Sequence, residues 1–311
     1  MTGKKRILIL GGTGFLGSNM CRYLYTRGYE VYCFDLKYPM HRQKNIQYIK
    51  GDFFDEKELE KVVQDKECII HAISTVQPGN SNEKYMRGYE NDFIQTIKLC
   101  DMLVGKPVKM IFISSGGTVY GNHKEQPIRE EILPRPINHY GNIKLSIENA
   151  MRTFNYQMNT HFIIARVSNP YGQGQDFQKG VGFIDAALKN TLNGKAIEIW
   201  GDGENVRDFV FVEDVCKMVE CLIEYEGEED TFNICSGTGV SQNEVIEIIR
   251  RMGFQPQVEY KEKRRVDVRA IILSDQKIRK LWKKNPIQLE QGMEIYRKYL
   301  EGESTCSQQN S

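Results

Sequence analysis

The chain has 311 residues, 40% of them hydrophobic, and a formal net charge of +1. That length supports a sizeable core in one large domain or two, and the near-neutral balance excludes a bulk electrostatic pull toward nucleic acid or an anionic membrane. No stretch approaches the ~20 apolar residues of a membrane helix, and the apolar run behind the basic N-terminus is too short for a signal peptide.

The first predicted element is the apolar strand at residues 6–10, which enters a turn carrying Gly11, Gly14 and Gly17 and then a helix over residues 18–27. Glycines allow a tight turn and a close backbone approach to a pyrophosphate. The helix opening there aims free N–H groups at the anion. A second strand, residues 30–34, ends in Asp35, where a carboxylate about 20 residues past the glycines accepts from both ribose hydroxyls of NAD. A glycine turn alone is weak evidence. Strand, glycines, helix, strand and acid in that order point to a dinucleotide.

The alternation continues. Residues 46–49 form a short strand before Gly51 and Asp52, and residues 56–64 a charged amphipathic helix. Residues 68–72 are a buried strand, and residues 90–104 a helix with Phe93, Ile97, Cys100 and Leu103 on one face. A strand at 108–113 leads to Ser114 and Ser115; a long helix at 140–157 and a strand at 161–166 follow. This pattern predicts an α/β fold: a Rossmann-type doubly wound parallel sheet covered on both faces. Ligands of such sheets bind beyond the carboxyl ends of the strands, here Gly11, Asp35, Asp52, Ala72, Ser114 and Ser168.

The second half is less regular. It reads as a helix at 183–192, strands at 196–200, 208–212 and 232–234, a helix reaching Tyr225, and a helix at 241–251. Ser241 with Glu244 three residues on is a capping box. The eight cysteines form no C-x-x-C pair, which suits reduced, buried thiols in a cytoplasmic protein. The polar stretch 301–311 is expected to be a disordered tail.

Tyr140 and Lys144 lie four apart, on one face of the long helix. A phenol with a pKa of about 10 is a poor base. A neighbouring ammonium and a positive nicotinamide ring favour its phenolate. On its own the spacing is common, and an exposed Tyr beside a solvated Lys is the bland alternative. Behind a dinucleotide fingerprint and a strand ending in hydroxyls, the pair reads as an acid/base couple.

The chain resembles the extended short-chain dehydrogenases/reductases of the NAD-dependent sugar-nucleotide epimerase/dehydratase family, most closely its UDP-hexose 4-epimerases. The resemblance is carried by residues 11–17, Asp35, Gly51 with Asp52, residues 114–121, Tyr140 with Lys144, and residues 166–172, 201–210 and 233–237. It covers the chain from residue 6 to about 300 in the right order. It implies that Phe15 and Leu16 follow the pyrophosphate turn, that Asp35 takes the adenosine ribose, and that Asp52 and Phe53 contact adenine. Ala72 borders the cofactor and Asn91 braces it. Tyr140 is the acid/base and Lys144 its partner. Asn169, Arg207 and Arg264 meet the sugar nucleotide, guanidinium forks suiting a diphosphate. The expected division is 1–166 plus about 205–236 for NAD, and about 167–204 plus 237–300 for the sugar nucleotide, in a smaller, interleaved C-terminal α/β domain. The resemblance also implies a homodimer through a four-helix bundle of the 90–104 and 140–157 helices, with Ile94, Leu99, Ile147 and Met151 on the exposed faces.

Three departures bear on the chemistry. Gly116 stands where many epimerases carry the Ser or Thr that bonds the reacting hydroxyl; Thr118 is the favoured substitute, with Ser115 second. Gly117 and Thr118 stand where 4,6-dehydratases carry an Asp-Glu pair, so elimination lacks its base and acid; decarboxylases keep the Glu and are disfavoured too. His71 replaces a residue of a usually alanine-rich run and reads as structural. The expected activity is 4-epimerisation of UDP-glucose/UDP-galactose or the N-acetylhexosamine pair. A 4-keto reductase consuming NAD(P)H, which Asp35 weakens by repelling a 2′-phosphate, and a non-catalytic NAD-binding regulator are the alternatives. No metal site is expected. The residue that selects sugar size aligns near Ile271.

Overall fold

The computed structural model describes residues 4–176, 182–262 and 268–308. Its main sheet has seven strands: β1 Arg6–Leu10, β2 Glu30–Asp35, β3 Gln47–Lys50, β4 Cys68–His71, β5 Lys109–Ser115, β6 His161–Val167 and, after the further strands given below, β10 Thr231–Ile234. Their spatial order is β10-β6-β5-β4-β1-β2-β3, and every pairing is parallel. The chain starts in the middle and winds outward both ways, so the strand order reverses between β1 and β4, where a doubly wound sheet opens its ligand crevice.

Strands buried on both faces must be apolar throughout. In β1, Ile7 and Ile9 join the core on one side, with Met20 and Leu24 of helix α1 (Phe15–Thr26). Leu8 and Leu10 join the core on the other, with Leu59 of α2 (Glu56–Val63), Leu99 and Ile147. The helix expected at 90–104 begins earlier: α3 (Tyr85–Arg87) passes through a π-helical stretch, Gly88–Ile94, into α4 (Gln95–Leu103). A short turn, α5 (Gly116–Val119), follows β5, and α6 (His139–Met158) is the long helix. Glycines let α6 come close. A Cβ at Gly88 would lie 2.4 Å from Ile143 Cδ1, and one at Gly141 would lie 2.6 Å from the Thr118 carbonyl oxygen.

The rest of the chain interleaves with this sheet. β7 (Asn169–Tyr171) pairs with β9 (Val206–Phe211), which also holds β11 (Gly239–Ser241) and β13 (Ala270–Ile271). β8 (Ile197–Trp200) pairs with β12 (Val258–Lys261). Helix α8 (Val212–Ile223) covers the main sheet, while α7 (Phe183–Leu192), α9 (Gln242–Arg251) and α10 (Leu289–Gln308) enclose a separate core around Phe209, Phe211 and Ile199. The capping box at Ser241 and Glu244 is formed.

Two expectations change. The stretch from Glu301 is not a disordered tail up to Gln308, because α10 runs through it. Met293, Tyr296 and Leu300 bury the inner face of that helix, and Arg297 pairs with Glu294 and Glu301 along its length. A helix anchored this way propagates through residues that are merely polar. The apolar residues assigned to an outer dimer face are mostly core. Leu99, Ile147 and Met151 are at most 1% exposed, and of the four only Ile94 is outside, at 47%.

Candidate active site

The carboxyl ends of β1, β4, β5 and β6, together with β7, β8 and β9, line one cavity of about 600 Å³. At its floor, Gly11 turns the chain with a positive φ of 82°, and α1 begins beyond Gly14. A Cβ at Gly17 would lie 2.1 Å from the Gly11 carbonyl oxygen, so only glycine lets α1 sit down on the turn. Gly11, Gly14, Phe15, Leu16, Gly17 and Ala72 all line the cavity, leaving a bare backbone cradle at a helix N-terminus. These residues fit a dinucleotide pyrophosphate.

Asp35 stands at the end of β2, beside the turn. Its carboxylate accepts from Thr13 N at 3.0 Å and Thr13 Oγ1 at 2.7 Å, and from Leu36 N at 2.8 Å. It does not line the cavity itself. Asp52 is exposed, with Oδ1 accepting from Phe54 N at 3.0 Å. Phe53 turns inward, 3% exposed, with its ring 5.1 Å from that of His71. An adenine contact is therefore open to Asp52 but not to the Phe53 ring. Next to Asn91 on the helix, Asp92 braces the loop after β4: its carboxylate accepts from Ser74 Oγ at 2.6 Å and Thr75 N at 2.8 Å.

Tyr140 lines the cavity with Ser115, Gly117 and Thr118. Thr118 Oγ1 is buried without a hydrogen-bond partner, an orphan that suits a ligand hydroxyl. Gly116 faces away. A Cβ there would lie 2.3 Å from Leu273 Cδ1 and 3.0 Å from the Arg166 carbonyl oxygen, so a side chain at this position would have to displace Leu273 and press on the Arg166 backbone. Lys144 is buried behind Tyr140. Its Nζ donates to the Ile113 carbonyl oxygen at 3.1 Å and lies 5.6 Å from the Tyr140 ring centre.

Burial governs the protonation here. It pushes the Tyr140 phenol up, with the Asp92 charge adding to the rise, and pushes Lys144 down to about 8 despite the pull of Asp92 and Glu148. The expected lowering of Tyr140 by Lys144 is thus not what the protein alone produces: burial, then the Asp92 charge, raises the phenol. His71 is held down at about 3 by burial, then by Lys144. Its Nε2 is 2.9 Å from Thr96 Oγ1, so it is a neutral core residue.

At the far end, Asn169 and Arg207 line the cavity. Asn169 Nδ2 donates to the Asp208 carbonyl oxygen at 3.3 Å, and half-buried Arg207 donates through Nη1 to the Val206 carbonyl oxygen at 2.8 Å. Arg264 lies outside the described residues. Ile271 is 2% exposed, packed with Val119 and Leu273 away from the cavity, so it does not select sugar size by contact.

Residues 7–235 match the NAD dependent epimerase/dehydratase family. The chain belongs to that family. It is 31% identical over 294 residues, 92% of this chain and 95% of the other, to a protein of Methanocaldococcus jannaschii provisionally named a UDP-glucose 4-epimerase. It is 31% identical over 257 residues, 79% of this chain and 81% of the other, to a dTDP-4-dehydro-6-deoxyglucose reductase of Escherichia coli. The crystal structure of a UDP-glucose 4-epimerase from Thermotoga maritima with UDP-glucose superposes with a TM-score of 0.89 at 29% identity, covering 96% of this chain and 99% of that one.

The cavity brings the candidate cofactor residues of the glycine turn together with the candidate substrate residues Thr118, Asn169 and Arg207. Several of its polar residues escaped the sequence reading. Gln77, Gln175 and Asn205 line it, and each has a buried side-chain oxygen without a partner. Asn205 was within reach, since it sits in the same glycine-bounded motif as Arg207. Gln77 and Gln175 come from irregular loops that carry no periodic signal. Trp200 and Gln242 complete the wall.

Proposed function

We propose that this chain is an NAD-dependent 4-epimerase of a nucleotide-diphosphate sugar, acting on UDP-glucose/UDP-galactose or the N-acetylhexosamine pair. One observation carries the reading: the unpartnered Thr118 hydroxyl and the Tyr140–Lys144 helix share the cavity into which the glycine turn opens.

Bound NAD supplies a hydride acceptor that becomes a donor in the return step, with no net redox change. Tyr140 takes the proton of the sugar C4 hydroxyl and later returns it to that same oxygen, once the 4-keto sugar has turned to present its opposite face to the cofactor. Thr118 bonds that oxygen and holds it toward Tyr140. Lys144, fixed on the Ile113 carbonyl, supports the phenolate while Tyr140 carries charge. Asn169 and Arg207, with Arg264, hold the diphosphate so that only the sugar turns over. Gly117 offers the cavity no side chain, so elimination of water has no acid/base pair there.

Purified protein incubated with UDP-glucose and no added nucleotide tests the reading. Conversion on the resident cofactor supports it. Turnover only with supplied NAD(P)H points to a reductase, and none at all to a binding protein. The homodimer belongs to the same reading, with Ile94 as its remaining outward apolar support on those helices from the original four; light scattering of micromolar protein decides it.

A further inference from the structure

The residue before Tyr140 is His139, the first of α6, and there the cavity loop after β4 is fastened to that helix. The loop lines the cavity with Val76, Gln77 and Pro78 and closes into a compact turn over residues 77–84. The turn is bonded within itself. Asn80 Oδ1 accepts from Gln77 N at 2.8 Å, and the Gln77 carbonyl oxygen accepts from Asn80 N at 3.1 Å and Ser81 N at 2.9 Å. The Asn80 carbonyl oxygen accepts in turn from Lys84 N at 3.0 Å. A turn bonded this way moves as one piece, so its outer attachment decides where Gln77 and Pro78 stand.

That attachment converges on His139. Asn82 Oδ1 accepts from His139 N at 3.3 Å, taking one of the donors that a helix start leaves without an intrahelical partner. Tyr85 of α3 stacks on the imidazole, with ring centres 4.8 Å apart and planes inclined by 25°. Tyr89, from the π-helical stretch, meets the same ring edge-on, with its OH 3.3 Å from Nδ1. Asn142 Nδ2 donates to that Tyr89 oxygen at 2.6 Å, which leaves the phenol proton for Nδ1. One residue thus joins the turn, α3 and the π-helical stretch to the helix that carries Tyr140. The deeper contact between these elements, Gly88 against Ile143, does not involve it.

We propose that His139 is a positioning residue: it clips the 77–84 turn to the first turn of α6 and so fixes Gln77 and Pro78 relative to the Tyr140 oxygen, a role that rests on Tyr140 acting in this cavity. The reaction gives the clip a use. Asn169 and Arg207 hold the diphosphate while the sugar turns over, so the sugar cannot be gripped as firmly as its nucleotide. A wall that stands still supplies orientation without a permanent grip. Reacting atoms misplaced by about 1 Å lose about 100-fold in rate.

The test compares His139→Ala, which removes the ring, with His139→Phe, which keeps a ring for Tyr85 and loses Nδ1. Cofactor-loaded proteins are assayed with UDP-glucose, titrated calorimetrically with UDP, which carries no sugar, and followed by hydrogen exchange over residues 77–84. In His139→Ala, kcat should fall by about 10- to 100-fold while UDP affinity stays within about twofold, because orientation is lost and the nucleotide's hold is not. Exchange over 77–84 should speed up. His139→Phe should lie between this variant and the wild type in both respects. If His139→Ala does not fold, Tyr85→Leu removes the stack from the other side and should bring the same changes. Wild-type kcat in the folded variant, a loss of UDP affinity equal to the loss of kcat, or unchanged exchange over 77–84 overturns the proposal. The exchange measurement needs no turnover, so it still decides whether the clip exists if the wild type leaves UDP-glucose unconverted, a result that would instead defeat the functional reading.

Discussion

Glu148 on α6 and Arg166 on β6 form an ion pair in the core, with Nη2 to Oε2 at 2.6 Å and Nε to Oε1 at 3.1 Å; their side chains are 0% and 2% exposed. Glu148 also accepts from Ser114 Oγ at 2.6 Å, and Arg166 donates to Tyr120 OH at 2.8 Å. The pair thus ties the helix bearing Tyr140 and Lys144 to β6, which leads into Ser168 and Asn169, and the Ser114 bond ties it to β5, which leads into Ser115 and Thr118. Glu148→Ala strands a buried guanidinium and should cost about 3–5 kcal/mol, read as a lowered urea midpoint with a matching loss of activity.

Asp35 should set cofactor choice. Wild-type protein is expected to bind NAD in preference to NADP, and Asp35→Ala to relax the preference. Because Asp35 also holds Thr13, the variant should bind NAD more weakly as well. Titration calorimetry with both dinucleotides checks this; equal wild-type affinities would remove the ribose role of Asp35.

Thr118→Val keeps the shape and deletes the orphan hydroxyl. Turnover should fall less than in Tyr140→Phe, since the proton path survives. Gly116→Ser should not restore it in the Thr118→Val background. The added Cβ meets Leu273 and the Arg166 backbone, and such overpacking costs about 1–3 kcal/mol. A folded Gly116→Ser, Thr118→Val double variant with recovered turnover would place position 116 in the site after all.

The sheet was legible because its signal is local: apolar runs, glycines and caps mark β1, β2, β4, α1 and α9 within a residue or a few. What stayed hidden depends on contacts distant in sequence. β11 and β13 are a few residues long and exist because β9 offers them edges. Asp92 carried no signal of its own, because its bonds to Ser74 and Thr75 cross between segments distant in sequence. Gly116 was read as a missing hydroxyl, and only its neighbours show that a side chain at this position would meet Leu273. Leu99, Ile147 and Met151 show the same limit: a helix apolar on more than one face does not say which face is covered by its own chain.

Asp208 gives a pH-dependent handle. It is fully buried and accepts from Ser236 N and Oγ, Gly237 N and Leu273 N, tying the ends of β9, β10 and β13 together. Burial nevertheless holds its carboxyl up at about 6, against an ordinary 3.8. The folded protein therefore binds this proton more tightly than the unfolded chain. The stability linked to it is complete below the unfolded pKa and is lost as pH rises through about 6, on the order of 3 kcal/mol in all. Asp208→Asn turns an amide toward backbone donors and should be less stable than wild type at neutral pH. The gap between the two should widen on acidification through that window, as followed by urea unfolding. A gap independent of pH would show that Asp208 does not titrate there.

The central claim is that Tyr140 moves the proton in an NAD-dependent epimerisation. The most direct measurement is the rate at which UDP-glucose and UDP-galactose interconvert, followed by NMR with no added nucleotide, in wild-type protein and in Tyr140→Phe. The account predicts conversion by the wild type and a loss of about 10²–10⁴-fold in the variant, with sugar-nucleotide binding retained through Asn169 and Arg207. Near-wild-type turnover in a folded, cofactor-loaded Tyr140→Phe protein would contradict it.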